Sequence, residues 1–208
     1  LPSKIYGDQE TRVGRAFAQM SNKNKPILGL RSLTIGSLNC KGLGNVKKRK
    51  KLKAFANDLD IIALQETHSQ PEWEDDWIRE LGLGKIIFSH GENNARGTAI
   101  AIEEDLLDEL QISEKRDNLG RLIQLELSGS NIRKLQIINT YAPNFVGTRA
   151  TKVKIRRFFR NALKEVKESN NHDTVVIGDF NLVFDPDLDA NRKPCLLYTS
   201  DAADDLFR

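Results

Sequence analysis

Four short stretches of the chain end on side chains that a hydrophobic core has no use for. They are Asn39 in "SLNCKGL", Glu66 in "LQETH", Tyr141 in "NTYAPN", and Asp179 with Asn181 in "VVIGDFN". Amides and carboxylates without a thiolate or a histidine pair make a hard, all-oxygen donor set. It suits Mg2+, with Mn2+ as the alternative, and argues against zinc. Beside such an ion an aspartate can take a proton from water, an asparagine can hydrogen-bond a phosphoryl oxygen, and a tyrosine hydroxyl completes the set. That is apparatus for phosphoester hydrolysis, in a nuclease or a phosphatase. Each residue also has a plainer reading: Asn39 as a turn former, Glu66 as a helix-approach acid, Tyr141 as a strand-end aromatic before Pro143, "GDFN" as an Asx-type turn. The plain readings work singly, and none of them predicts that all these residues meet at one place.

For the residues to meet, the elements carrying them must end at one edge. "SLTIGSLN" (32–39) has strand composition and runs into the glycine-rich turn "KGLG". Leu52, Phe55, Ala56 and Leu59 follow helical spacing, which leaves the neighbouring lysine run on the opposite face. "DIIALQE" (60–66) reads as a buried strand, "KIIFSH" and "GTAIAI" as two more, and "RLIQLEL", "SGSN" and "IRKLQIINTY" as a hairpin. Ile155, Phe158, Phe159, Ala162, Leu163 and Val166 form one stripe of a long helix that leads into "TVVIGDFN". Hairpins mixed with strand-helix-strand units predict an α/β sandwich with mixed sheets rather than a purely parallel doubly wound sheet. Ligand sites in α/β sheets sit beyond strand ends, where these polar residues fall.

The bounds agree with an enzyme domain. At 208 residues the chain is one domain, and 39% hydrophobic with 29% charged residues describes a globular protein rather than a disordered or membrane one. No segment approaches the roughly 18 apolar residues of a membrane span, and the amino end lacks the apolar region of a signal peptide, so an intracellular protein without a membrane partner is expected. Cys40 and Cys195 lie far apart without metal-ligand spacing. The net charge is only +3, but it is concentrated in "KKRKK" (Lys47 to Lys51) and "KVKIRRFFRNALKEVK" (Lys152 to Lys167). Such runs fit a phosphate-bearing partner, or else solvated helix faces. Residues 1–31 are polar with little periodicity and read as a flexible N-terminal arm.

The order "SLNCKGL", "LQETH", "NTYAPN", "VVIGDFN" resembles the endonuclease/exonuclease/phosphatase superfamily, and within it the apurinic-like endonuclease domain of non-LTR (LINE-type) retrotransposons. "ARGTAIAI" (Ala95 to Ile102) and "FNLVFDPDLDANRK" (Phe180 to Lys193) carry the same likeness. The resemblance implies a four-layer α/β sandwich of two mixed sheets flanked by helices. It implies that Asn39 and Glu66 serve the metal, Tyr141 the phosphate and transition state, Asp179 the attacking water, and Asn181 the phosphoryl oxygens. Gly178 would let the backbone turn tightly at the sheet edge, with Phe180 turned to the core between two site residues. His68 is expected to be structural or to lie at the DNA rim, since the family's catalytic histidine belongs to a later motif. The expected reaction is metal-dependent nicking of DNA that leaves a 3′ hydroxyl to prime reverse transcription. It would take place in the nucleus, with a reverse transcriptase covalently linked in the parent polyprotein. Lys47, Lys48 and Lys50, within the run to Lys51, and Arg156, Arg157 and Arg160 would contact DNA phosphates without reading bases.

The family closes its site with a further aspartate and a terminal Ser-Asp-His. Here the histidines follow Thr67, Ser89 and Asn171, and Ser200-Asp201-Ala202 has alanine where the histidine belongs. The stretch "CLLYTSDAADDLFR" (195–208) reads as a foreign, adapter-derived tail. The domain is therefore expected to be partial over 32–194, its second sheet incomplete at the C-terminus, and the chain as given inactive. Rival readings are an abasic-site repair nuclease, a small-phosphoester phosphatase, and a decayed DNA-binding remnant without catalysis.

Overall fold

The computed structural model describes residues 32–130, 132–144, 148–168 and 173–181. The expected arm, the stretch after Asn181, the tail, and the side chains of Leu163 and Val166 lie outside the described residues. In chain order the first half comprises β1 (Ile35–Asn39), α1 (Val46–Ala56), β2 (Ile61–Gln65), α2 (Glu74–Leu81), β3 (Lys85–Ser89) and β4 (Thr98–Ile102). The second half comprises β5 (Gln111–Arg116), β6 (Leu122–Gly129), β7 (Ile132–Tyr141), α3 (Arg149–Glu168) and β8 (Asp173–Asp179). Short 3-10 turns at Pro71–Trp73 and Glu104–Leu106 lead into α2 and towards β5.

Side-chain alternation sorts these elements into layers. Every residue of β2 is buried because the strand has a core on each face. Ile61 and Ala63 join Ile35, Ile100, Ile102, Ile123, Leu125, Leu127, Leu135, Ile137 and Ile177 in a cluster between two sheets. Ile62 and Leu64 point the other way, with Ala99 and Ala101, onto Leu52 and Ala56 of α1 and Trp77 and Leu81 of α2. At roughly 1.5–3 kcal/mol for each fully buried aliphatic side chain, these two layers supply most of the driving force. The first sheet has the order β1-β2-β4-β3 and the second β5-β6-β7-β8. In each the pairings are antiparallel except one, β1 with β2 and β7 with β8. α3 flanks the second sheet, with Ile155 and Ala162 buried. Two mixed sheets flanked by helices are thus the observed fold, as the strand pattern predicts. Among the described residues no helix is long and apolar enough to cross a membrane.

Two elements escape the periodicity reading. α2 goes unread although its signal is present: Trp73, Trp77, Ile78 and Leu81 fall at helical spacing, three acids occupy its first turn, and Gly82 in the left-handed region closes its end on Ile78 O. β5 is not legible, because "QISEKR" is an edge strand with one apolar residue, and its pairing with β6 alone makes it a strand.

Three local expectations change. The run Lys47 to Lys51 is not uniformly cationic surface, because Arg49 is buried. It donates to Leu43 O, Gly44 O and Glu80, and its guanidinium lies 5.4 Å from the Trp77 ring centroid, so it joins α1 to α2. Gly178 does not sit in a turn. It lies inside β8 opposite Thr140 with φ +139, where a Cβ would come within 2.0 Å of Thr140 O, so close approach of two strands demands the glycine. Phe180 turns away from the inter-sheet core and stacks on Phe159 of α3 at 6.1 Å.

Candidate active site

The parallel pairs place two strand C-termini side by side in each sheet. Asn39 is in register with Gln65, and Tyr141 with Asp179. Followed along the inner face at period 2, polarity rises towards this edge. Ile35, Ser37 and Asn39 succeed one another on β1, Ile61, Ala63 and Gln65 on β2, Ile137, Asn139 and Tyr141 on β7, and Val175, Ile177 and Asp179 on β8.

The layer beneath the edge is a buried amide network. Gln65 and Asn139 are 1% and 0% exposed, so their polar atoms need partners. Gln65 Nε2 donates to Asn139 Oδ1 at 2.8 Å, and Asn139 Nδ2 donates to Leu64 O at 2.9 Å and Ala99 O at 2.8 Å. These bonds clamp β7 to β2 and β4 across the sandwich. Neither amide was singled out in the sequence, although Asn139 precedes Tyr141 by two and so shares its face.

Above the clamp the expected site residues come together. Asn39 Nδ2 donates to Glu66 Oε1 and to Asp179 Oδ2, both at 2.8 Å, so one amide joins carboxylates from the two sheets. The Tyr141 hydroxyl lies within the electrostatic reach of Glu66. Burial first, and then the charge of Glu66, push the Tyr141 hydroxyl up to about 12, so it is a proton donor at neutral pH. Asp179 Oδ1 accepts the Asn181 N–H at 2.9 Å, and Asn181 Nδ2 donates to Ala142 O at 2.7 Å. The Asx-type turn at "GDFN" is therefore real, and it holds Asp179 towards the other site residues. Asn39 likewise closes a turn, its Oδ1 accepting from Lys41 N at 3.0 Å.

Backbone strain gathers here too. Lys41, Glu66, His68 and Asn181 all have φ between 48 and 54, a left-handed conformation that costs a residue other than glycine roughly 1–2 kcal/mol. Backbone bonds sustain it: Gly42 N to Glu66 O at 2.7 Å, Leu43 N to Thr67 O at 2.9 Å, and His68 N to Arg96 O at 2.8 Å. His68 Nε2 lies 4.0 Å from Glu66 Oε2 at the rim.

The basic residues are not brought together in the same way. Lys47 and Lys50 are exposed on α1, and Arg157 and Arg160 on α3, with Arg156 half-buried. Lys48 has a local commitment, its ammonium donating to Lys41 O at 2.6 Å, Gly42 O at 3.2 Å and Cys40 O at 3.4 Å. Lys48 thereby ties α1 to the turn that follows Asn39. Arg121, unremarked in the sequence, and Arg96, noted there only as part of "ARGTAIAI", lie nearer the site. Arg121 Nη1 donates to Tyr141 O at 2.9 Å and its guanidinium stacks 5.2 Å above that ring.

The donor set tests the metal. Among the described residues no three His, Cys, Asp or Glu side chains form a metal cluster. What gathers is the two carboxylates Glu66 and Asp179, bridged by the Asn39 N–H groups, and a magnesium-like ion characteristically takes one or two carboxylates and completes its shell with water and substrate phosphate. The residues fit such an ion.

Residues 35–205 match the Endonuclease/Exonuclease/phosphatase family. The chain belongs to that family. Its members are phosphoester hydrolases, and its nucleases generally depend on divalent metal. The chain is 28% identical over 157 residues to the transposon TX1 uncharacterized 149 kDa protein of Xenopus laevis, covering 74% of this chain and 11% of that protein. Its fold is similar to the Xenopus laevis APE2 catalytic domain, with a TM-score of 0.60 at 18% identity, covering 83% of this chain and 66% of the other. It is also similar to D. rerio TDP2 complexed with a single-strand DNA product, with a TM-score of 0.54 at 18% identity, covering 74% and 62%.

Proposed function

We propose that this chain is the endonuclease domain of a non-LTR retrotransposon. It nicks target DNA by metal-dependent hydrolysis of a phosphodiester and leaves a 3′ hydroxyl that primes reverse transcription. The observation that carries the reading is the convergence of Asn39, Glu66 and Asp179, from both sheets, on one shared set of hydrogen bonds, with Tyr141 in register beside Asp179. The TX1 relative supports the transposon setting, and its 149 kDa length leaves room for a linked reverse transcriptase. The DNA held by D. rerio TDP2 supports DNA as the substrate. The reaction would take place in the nucleus.

Glu66 and Asn39 would hold Mg2+, or Mn2+, which when bound neutralises charge on a phosphate oxygen. Asp179, fixed through Oδ2 by Asn39 and through Oδ1 by the Asn181 N–H, accepts a proton from the attacking water. The water oxygen bonds to phosphorus as the bond to the 3′ oxygen breaks, giving a 5′ phosphate and a 3′ hydroxyl. The Tyr141 hydroxyl, kept protonated, donates to the charge that develops on the phosphoryl oxygens. Asn181 spends one N–H on Ala142 O, which fixes its amide, and offers the second to the phosphoryl group. Lys47, Lys50, Arg156, Arg157 and Arg160 add salt-sensitive phosphate contacts at longer range.

The test is nicking of supercoiled plasmid by the domain extended along its parent sequence. Nicking that EDTA and Asp179→Ala abolish supports the reading, and EDTA-resistant nicking removes it. Intact plasmid, abasic duplex and an inositol phosphate assayed side by side separate the retrotransposon nuclease from a repair nuclease and a phosphatase. We also infer that these 208 residues are inactive by themselves, since no histidine follows an aspartate. Robust metal-dependent nicking by the 208-residue form would remove that inference alone.

A further inference from the structure

Two guanidinium groups flank the site from adjacent loops, and the reaction as derived above uses neither. Arg121 enters against Tyr141, held by the Tyr141 carbonyl and ring. Arg96 enters behind Glu66 and His68, since its carbonyl accepts the His68 N–H, and Gly97 N to Gly120 O at 3.1 Å ties its loop to that of Arg121. The Arg96 side chain is anchored by Nη1 on Leu119 O at 3.3 Å and lies 3.6 Å from the carboxylate of Glu92, which is 69% exposed. Arg96 also adopts φ +66, a left-handed conformation that the surrounding backbone bonds must sustain.

Local carboxylates compensate these charges poorly. Asp117, close to Arg121 in sequence, spends Oδ1 on Ser89 Oγ at 2.8 Å, Arg121 N at 3.0 Å and Leu122 N at 3.1 Å. Burial, and then repulsion by Arg96, push the Arg121 guanidinium down from its usual range. Two neighbouring cations, one half-buried, are an arrangement that a bound anion relieves. On α1, by contrast, Arg49 is buried and the Lys48 ammonium is held by three carbonyls.

We propose that Arg96 and Arg121 form a seat for a phosphodiester that flanks the scissile one, so that the cut strand runs across Tyr141 between them and the carboxylates. This inference rests on the nuclease reading and adds a contact that helix charge does not supply. Each guanidinium offers several N–H donors in a fixed fork, which matches the oxygens of a phosphate better than an ammonium does. Because the seat touches only backbone phosphate, it positions the strand without selecting bases.

The experiment uses the domain extended along its parent sequence and a labelled duplex with one mapped cleavage position. Binding is read by fluorescence anisotropy in EDTA over a salt series, for wild type, Arg96→Ala and Arg121→Ala, with thermal unfolding as the check on folding. The expected result is a loss of about one unit from the slope of log affinity against log salt in each variant. A single methylphosphonate linkage next to the cleaved one should weaken wild type and weaken Arg96→Ala less, because only the Arg121 share of the contact is left for it to remove. Slopes and a methylphosphonate profile identical to wild type in a folded Arg96→Ala would overturn the seat while plasmid nicking still stands. Wild type that neither binds nor nicks DNA would remove the nuclease reading and the seat with it.

Discussion

β1 with β2 and β7 with β8 are both strand-helix-strand units, yet they deliver site residues differently. The first pair presents Asn39 at its end and Glu66 one residue beyond, through a left-handed backbone. The second presents Tyr141 and Asp179 as the last residues of the strands themselves, at the level of the pairing. The first therefore depends on a strained turn secured by backbone bonds, and the second on the positive φ of Gly178, where a side chain would run into Thr140 O. Antiparallel neighbours send their C-termini to opposite edges, whereas a parallel pair sends both to one edge. A site assembled from two sheets accordingly draws on the parallel pair of each.

The largest effect should come from removing the link between the pairs. Asn39→Leu takes away the amide that, among the described residues, bonds both Glu66 and Asp179, and should lower kcat roughly 10²–10³-fold, the usual cost of a preorganised donor at a charged site. Steady-state nicking rates check this, and a change under about threefold would mean that the two carboxylates keep their places unaided.

Next, matched glycines separate the pairs by stability. Gly178→Ala drives a Cβ against Thr140 O in a strained conformation, and should cost about 3 kcal/mol and on the order of 10 °C in Tm. Gly36→Ala, in β1, meets only the tip of the Leu59 side chain, which can rotate aside, and should cost about 1 kcal/mol or less. Equal losses by calorimetry would erase the contrast.

The clamp beneath the site should be worth less and show coupling. Asn139→Leu takes the shortest partner from Gln65, which keeps Ser37 Oγ at 3.1 Å and Ala63 O at 3.2 Å, and removes a donor from two backbone carbonyls, and should cost about 2 kcal/mol. Adding Gln65→Leu should cost less than the sum by about 1 kcal/mol, because two partners leave together. Additive values in denaturant unfolding would show that the sheets are joined by apolar packing alone.

The smallest effect is a pH dependence. Tyr141 titrates near 12 in the folded state, above its ordinary 10, so the fold favours the neutral hydroxyl. Its stabilisation is complete below about pH 10 and is lost as pH rises through about 12. The unfolding free energy measured across that window should fall more steeply for wild type than for Tyr141→Phe, and parallel curves would dismiss the raised pKa.

Much of this was legible in the chain itself. Apolar alternation and helical spacing are local properties, so seven of the eight strands among the described residues, along with α1 and α3, could be read from short windows. The polar strand ends pointed to hydrolysis because an all-oxygen donor set at an α/β sheet edge has few other uses. The family likeness rests on those same residues.

Other features depend on partners far along the chain. Asn39 meets Asp179 across 140 positions and Asn139 meets Leu64 across 75, and nothing in either neighbourhood announces the other. Arg49 looks like one more cation in a basic run until Glu80 and Trp77 close over it. Lys48 looks like a DNA contact until the turn after Asn39 folds under its ammonium. Gly178 looks like a turn residue until Thr140 stands beside it. Which face a strand buries follows from its pattern of residues. Whether a buried polar group is a fault or a clamp depends on what the other sheet sets against it, because desolvation is repaid only by a partner within hydrogen-bond reach.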